Sequence, residues 1–146
     1  MSLVHSKKTV ILIAAASVAV TGTHTDLSTY VDSSEIPRKR DVNEVTTYGN
    51  DAKRKAKSLK DSTFTMSGVY DSTASTGPRA LLLPLYDDDT ETLVRIKRRP
   101  EGSGTGLPQD MFVGIITNYV ETNPVADHIR WSLDFEIDGE VDTTAQ

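Results

Sequence analysis

The stretch Ile129 to Asp138, IRWSLDFEID, constrains the fold more than any other in the chain. Its odd positions are Ile129, Trp131, Leu133, Phe135 and Ile137. Its even positions are Arg130, Ser132, Asp134, Glu136 and Asp138. Successive side chains of a strand point to opposite faces, so ten residues of unbroken alternation predict a strand with one apolar and one polar face. At roughly 1.5–3 kcal/mol per fully buried large side chain, the apolar face is a major part of any core. The polar face carries three carboxylates and one Arg. It reads as a water-facing sheet surface, or as an acidic wall facing something anionic that must not stick.

The length of 146 residues predicts one domain with one core, spanning 1–146. With no cysteine in the chain, disulfides and thiolate metal sites are excluded. The net charge of -5 argues against DNA binding over the whole surface. Its distribution is uneven. Residues 37–60 hold eight basic side chains against three acidic ones, and residues 110–146 hold eight carboxylates against Arg130 alone. A basic middle and an acidic end let copies of one chain dock head to tail.

Lys7 and Lys8 precede an apolar run, Val10 to Val20, which is close to the pattern of a secretory signal peptide. It is shorter than the ~20 residues of a membrane-spanning helix. Val10-Ile11-Leu12-Ile13 reads instead as a retained, buried strand, weakening into the alanines at 14–16, with a turn at Thr21-Gly22-Thr23. Asp26–Val31 suggests a short strand, and residues 32–40 a loop or edge. Pro37 cannot donate to a sheet ladder, which confines it to an edge or a turn. Val42–Tyr48 is another strand candidate. Ala52–Lys60 has no apolar stripe and reads as a mobile or partner-ordered loop. It also lacks an aromatic to stack on bases.

Thr63–Tyr70 alternates, with Phe64, Met66, Gly68 and Tyr70 on one side, and predicts a strand. Pro78 suits a first helical position, and Leu81, Leu82 and Leu85 would share one side of a short helix. Pro84 should kink or shorten that helix. Thr92–Arg98 reads as a strand with a basic end. The loop 100–110 contains GSGTG but lacks the ending of a phosphate cradle, so it reads as a hairpin or crossing loop. Met111–Val120 is apolar on both faces, as in a central strand, with Gly114 as a candidate bulge. It should form an antiparallel hairpin with the 129–138 strand. Residues 139–146 read as a flexible tail.

Chemistry-bearing patterns are few. Asp87-Asp88-Asp89 lacks the calcium-loop spacing and reads as a solvated turn. His5, His24 and His128 share no metal-ligand spacing. Asp134, Glu136 and Asp138 are spaced like a glycosidase pair, but nine aromatic residues leave few for a sugar-binding cleft. The expectation is a non-enzyme without catalytic, metal or cofactor sites.

Four pieces carry a family resemblance: Asn43-Glu-Val-Thr-Thr-Tyr-Gly49, the run Leu59–Asp71, the Gly77–Leu83 helix start, and the strand 129–138. In that order they resemble the major tail tube proteins of long-tailed, non-contractile phages, related in fold to type VI secretion tube proteins. The resemblance covers most of residues 9–140. It implies a mainly β fold with one short helix. Two packed antiparallel sheets, sandwich- or barrel-like, would join into a larger barrel in a ring oligomer. It implies hexameric rings stacked into a tube, a place in the virion tail after assembly in the host cytoplasm, and no membrane. The implied partners are other copies, the tape-measure protein, and terminator or tip proteins; phage DNA would pass without specific binding. A carboxylate-lined bore repels phosphate, whereas Lys and Arg hold it. The lumen-lining candidates are therefore Ser132, Asp134, Glu136 and Asp138. Arg130 is the awkward member, expected at a rim or paired with a neighbour. Residues 36–60 are the candidate extended inter-ring loop, with Lys53, Arg54, Lys55 and Lys57 as its contacts. The alternatives are a secreted β-sandwich adhesion domain, if 10–20 is a signal peptide, or a tail terminator of the same fold.

Overall fold

In the structure, a computed structural model, residues 3–49, 51–73 and 75–146 are described. The strands are β1 (Val10–Ala15), β2 (Thr25–Asp26), β3 (Val31–Glu35), β4 (Arg38–Glu44), β5 (Lys55–Val69), β6 (Val94–Arg99), β7 (Asp110–Thr122) and β8 (Arg130–Ile137). The helix α1 (Pro78–Asp87) lies between β5 and β6. All strand pairings are antiparallel, in the order β2-β1-β6-β7-β8-β5-β3, with β4 on an extension of β5.

One hydrogen-bonded sheet thus supplies both packed layers, and chain length explains how. β2 and β3 lie at opposite ends of the strand order, yet only residues 27–30 separate them. Four residues span at most ~14 Å, so the sheet must roll until its two ends are near each other. Side chains mark the approach: Ser28 Oγ accepts from the Ile11 amide at 3.0 Å, and Arg98 Nε reaches Ser34 Oγ at 3.4 Å. The roll stops short of a closed barrel, because β2 and β3 do not pair.

The rolled sheet encloses Ile11 and Ile13 of β1, Phe64 and Met66 of β5, Ile96 of β6, Phe112 of β7 and the odd residues of β8, with Leu27 and Leu82 as plugs. Phe64, Phe112 and Phe135 pack with ring centroids 5.0 and 5.7 Å apart. The run at 10–20 is therefore a core strand followed by a turn. Strand β8 alternates as its sequence requires: Trp131, Leu133, Phe135 and Ile137 are buried, and Arg130, Ser132, Asp134 and Glu136 are exposed. Ile129 departs from the pattern. It lies just before β8 and is 38% exposed.

Four other expectations are corrected. Residues 55–60, read as part of a loop, belong to β5. The two strands β3 and β4 run along one edge of β5, and from Ser33 to Arg40 they keep one register, Glu35 opposite Thr65 and Arg38 opposite Ser62, with shifts between Val31 and Ser33 and between Arg40 and Val42. They are separated at Ile36-Pro37, where proline supplies no donor. Beyond the end of β8, this hairpin projects as a two-stranded arm whose β4 side is exposed throughout. The irregularity in β7 falls between Ile116 and Asn118, not at Gly114. Gly114 is needed for close approach, since a Cβ there would lie 2.0 Å from the Glu136 carbonyl oxygen. Helix α1 is not shortened at Pro84 but runs on to Asp87, with Pro78 at its start and Leu82 fully buried. Residues 139–146 are tied to the body: Asp142 and Met111 exchange backbone hydrogen bonds at 2.9 and 2.8 Å, and the Gln146 amide bonds the Leu107 carbonyl.

Candidate assembly and lumen surfaces

Four adjacent strands, β3-β5-β8-β7, share one outward polar face. Residues opposite one another in an antiparallel sheet point to the same side, so the register defines its rows. One row is Glu35, Thr65, Asp134 and Asn118; the next is Ser33, Ser67, Ser132 and Val120; a third contains Thr63, Glu136 and Ile115. The structure brings Ser132, Asp134 and Glu136 onto this surface, all exposed, and Asp138 is exposed just beyond the strand. Asn118 Nδ2 donates to the Asp134 carboxylate at 3.1 Å, fixing one acid in place. Arg130 is neutralised by an ion pair with Asp32. Ile115, 57% exposed, is an apolar member of the face.

The sequence reading missed Asp32 and Glu35, because 32–40 read only as a loop or an edge, and β3 is an edge strand. Asp32-Ser-Ser-Glu35 carries no large apolar residue, so its strand character was visible only through its partner β5.

The arm is the second surface. Lys55 and Lys57 lie on β5 opposite Glu44 and Val42, and Lys53 and Arg54 approach the tip. The Arg54 carbonyl accepts from the Val45 amide at 2.9 Å, and its own amide donates to Thr46 Oγ1 at 3.0 Å. All four cations are exposed. The arm's base, in contrast, is pinned to the body. Arg38 donates to Asp110 at 2.8 Å, and Arg98 reaches the other carboxylate oxygen at 3.3 Å. Lys60 pairs with Glu140 and holds that carboxyl below its ordinary range. Part of the acidic C-terminal half thus meets the basic middle within one chain.

The outer side of β6 carries further cations, but a loop covers them. Arg95 donates to the Val18 carbonyl at 2.5 Å and Lys97 to the Val20 carbonyl at 2.6 Å. Burial lowers the Lys97 pKa, and Arg99 and Arg95 lower it further. His24 beside them is also lowered, first by burial; its Nδ1 contacts the Gly22 carbonyl, while Nε2 is shielded without a partner.

A third surface lies at α1. Its exposed side and the segment after β5 form a groove of about 550 Å³, lined by residues including Tyr70, Thr73, Ala80, Leu83, Pro84 and Asp87. Arg79, exposed and also on the groove lining, pairs with Glu121 at 2.8 Å. Tyr119 donates to the same carboxylate, and burial together with that bond raises the phenol's pKa. Asp87-Asp88-Asp89 forms the helix end and the following turn, with Asp88 accepting from the Thr90 amide at 2.9 Å. Among the described residues no group of three or more His, Asp or Glu is placed to hold a metal ion.

No family model matches the chain, and no curated protein does. Solved structures do. The chain is similar to one from the tail of an empty gene transfer agent particle refined with C6 symmetry, at 15% identity and a TM-score of 0.70, covering 98% of this chain and 100% of that one. It is similar to the SPP1 tail tube chain at 9% identity and a TM-score of 0.75, covering 99% and 81%. A chain of the anti-feeding prophage baseplate has 6% identity and a TM-score of 0.72, covering 99% and 97%. Across these distant sequences the chain has the tail-tube fold.

Proposed function

We propose that this chain is the structural subunit of a phage-type tail tube, located in the virion tail and without enzymatic activity. The observation that carries the reading is a four-strand polar face bounded, among the described residues, by two strand edges without a partner strand. One edge is the outer side of β3; the other is β7 beyond Gly114, where β6 no longer pairs with it. Unpaired edges are templates for strand addition by another chain. Adding the β3 edge of one copy to the β7 edge of the next is a head-to-tail contact, and such contacts close into rings when the rotation allows. The matched fold of assembled tail chains supports the same reading.

In a six-membered ring the face bearing Ser132, Asp134, Glu136 and Asp138 lines the lumen. Its acids, with Glu35 added and Arg130 neutralised, repel the phosphates of a passing genome. The arm cations Lys53, Arg54, Lys55 and Lys57 bridge stacked rings. Tape-measure, terminator and tip proteins are the further partners this role requires. A terminator of the same fold differs only in ending the stack.

Negative-stain electron microscopy of the purified chain across a concentration series tests the proposal. Hollow tubes or six-fold rings are expected. A chain that stays monomeric at every concentration, even with its tail-tip complex present as initiator, overturns it.

A further inference from the structure

We infer that the groove on α1 is the receptor for the arm tip of a second copy of this chain in the adjacent ring. The inference rests on the tube reading above and assigns the other half of its inter-ring contact. Strand β5 supplies the geometry. Its first residues form the arm, and its last, Val69, leads directly into Tyr70 on the groove wall. Arm and groove thus occupy opposite ends of one continuous strand of 15 residues, roughly 50 Å long at the usual rise. Translation of a copy along that direction carries its arm toward the groove of its neighbour. That is the polarity a non-closing, head-to-tail stack requires.

Chemistry matches the two ends. The arm carries unpartnered apolar surface: Tyr48 is fully exposed at the tip, and Val45 is half exposed. Around it stand Lys53, Arg54, Lys55 and Lys57. The groove offers an apolar floor from Ala80, Leu83 and Pro84. Its lining also carries Asp71 and Asp87 beside Arg79, whose charge is paired with Glu121, and Asp88, Asp89 and Glu91 follow in the sequence. These carboxylates form no ion pair among the described residues, whereas Asp110, Glu121 and Glu140 in the C-terminal half are already paired within the subunit. The α1 acids are thus, among the described residues, a cluster of carboxylates without ion pairs that lies beside an apolar groove and is open to the tip cations. Aromatic insertion into an apolar pocket ringed by opposite charge is a common form of interface anchor.

The chain's lack of cysteine permits a direct test. Tyr48→Cys and Ala80→Cys are introduced together, and assembled tubes are mildly oxidised. Both positions are exposed, so folding is preserved. A ladder of covalent multimers is expected from the double variant, and none from either single variant. Normal tubes without a ladder overturn the inference and leave the tube reading intact. A second test does not depend on Tyr48. Reversing Lys53, Arg54 and Lys55 to Asp should abolish stacking, and adding Asp87→Lys, Asp88→Lys and Asp89→Lys should restore it. Failure of the combined variant to recover tubes, with each monomer folded by circular dichroism, also overturns the inference.

Discussion

At the scale of single residues, the tightest constraints sit where backbone meets backbone. A Cβ at Gly68 would lie 1.7 Å from the Tyr30 carbonyl oxygen, where the link between the sheet's ends crosses β5. Gly68→Ala should destabilise the monomer by about 3 kcal/mol, at the upper end of overpacking costs. Gly106→Ala meets nothing within 4 Å but has φ of 84°, so about 1 kcal/mol is expected, the cost of a left-handed conformation. Urea denaturation of both variants checks the ordering. His24 gives a pH dependence. Its folded pKa lies below 6.5 because of burial, with Lys97, Arg95 and Arg99 adding to the effect. Below 6.5 the unfolded chain therefore binds the proton more readily. This contribution to stability is complete above that pH and is lost as pH falls through the lowered value. Thermal melts of the wild type should decline on acidification just below pH 6.5, and His24→Gln should remove that component of the slope.

At the scale of elements, the arm is a two-stranded ribbon with no core of its own. Such a hairpin is marginal in isolation, and it is held at its base by Arg38–Asp110 and Lys60–Glu140. Replacing residues 41–58 with a two-residue turn should leave the melting temperature nearly unchanged and abolish tube growth. Calorimetry and electron microscopy read the two effects separately; a large loss of stability would mean that the arm is part of the core. The same physics explains why this element was misread. A ribbon exposed on both faces needs no apolar period, so Ala52–Lys60 had no strand pattern to display. Strand β8, buried on one face, had to display one.

At the scale of the whole molecule, the proposed tube role makes the sign of the charge on the β3-β5-β8-β7 face the variable to test. Asp134→Lys with Glu136→Lys should leave folding intact, since both side chains are exposed. If this face lines the bore of the proposed tube, the pair should convert a repelling surface into a retaining one. Tubes of the variant should hold short duplex DNA at low salt and release it steeply as salt rises, as counterion release demands. Wild-type tubes should hold little at any salt. Equal retention by both would place this face outside the bore.

The local sequence determined much of the inner structure. The period-two pattern at 129–138, the strand over 111–120, although its Ile115 and Val120 face outward, and the Pro78 helix start each follow from interactions within a few residues. Only the tertiary structure decided the rest. Arg130 meets Asp32 across 98 positions, Arg38 meets Asp110 across 72, and β3 and β4 prove to be one interrupted partner of β5. Those contacts depend on the register between distant strands and on the rolling of the sheet. A segment whose side chains face water on both sides carries little local trace of either.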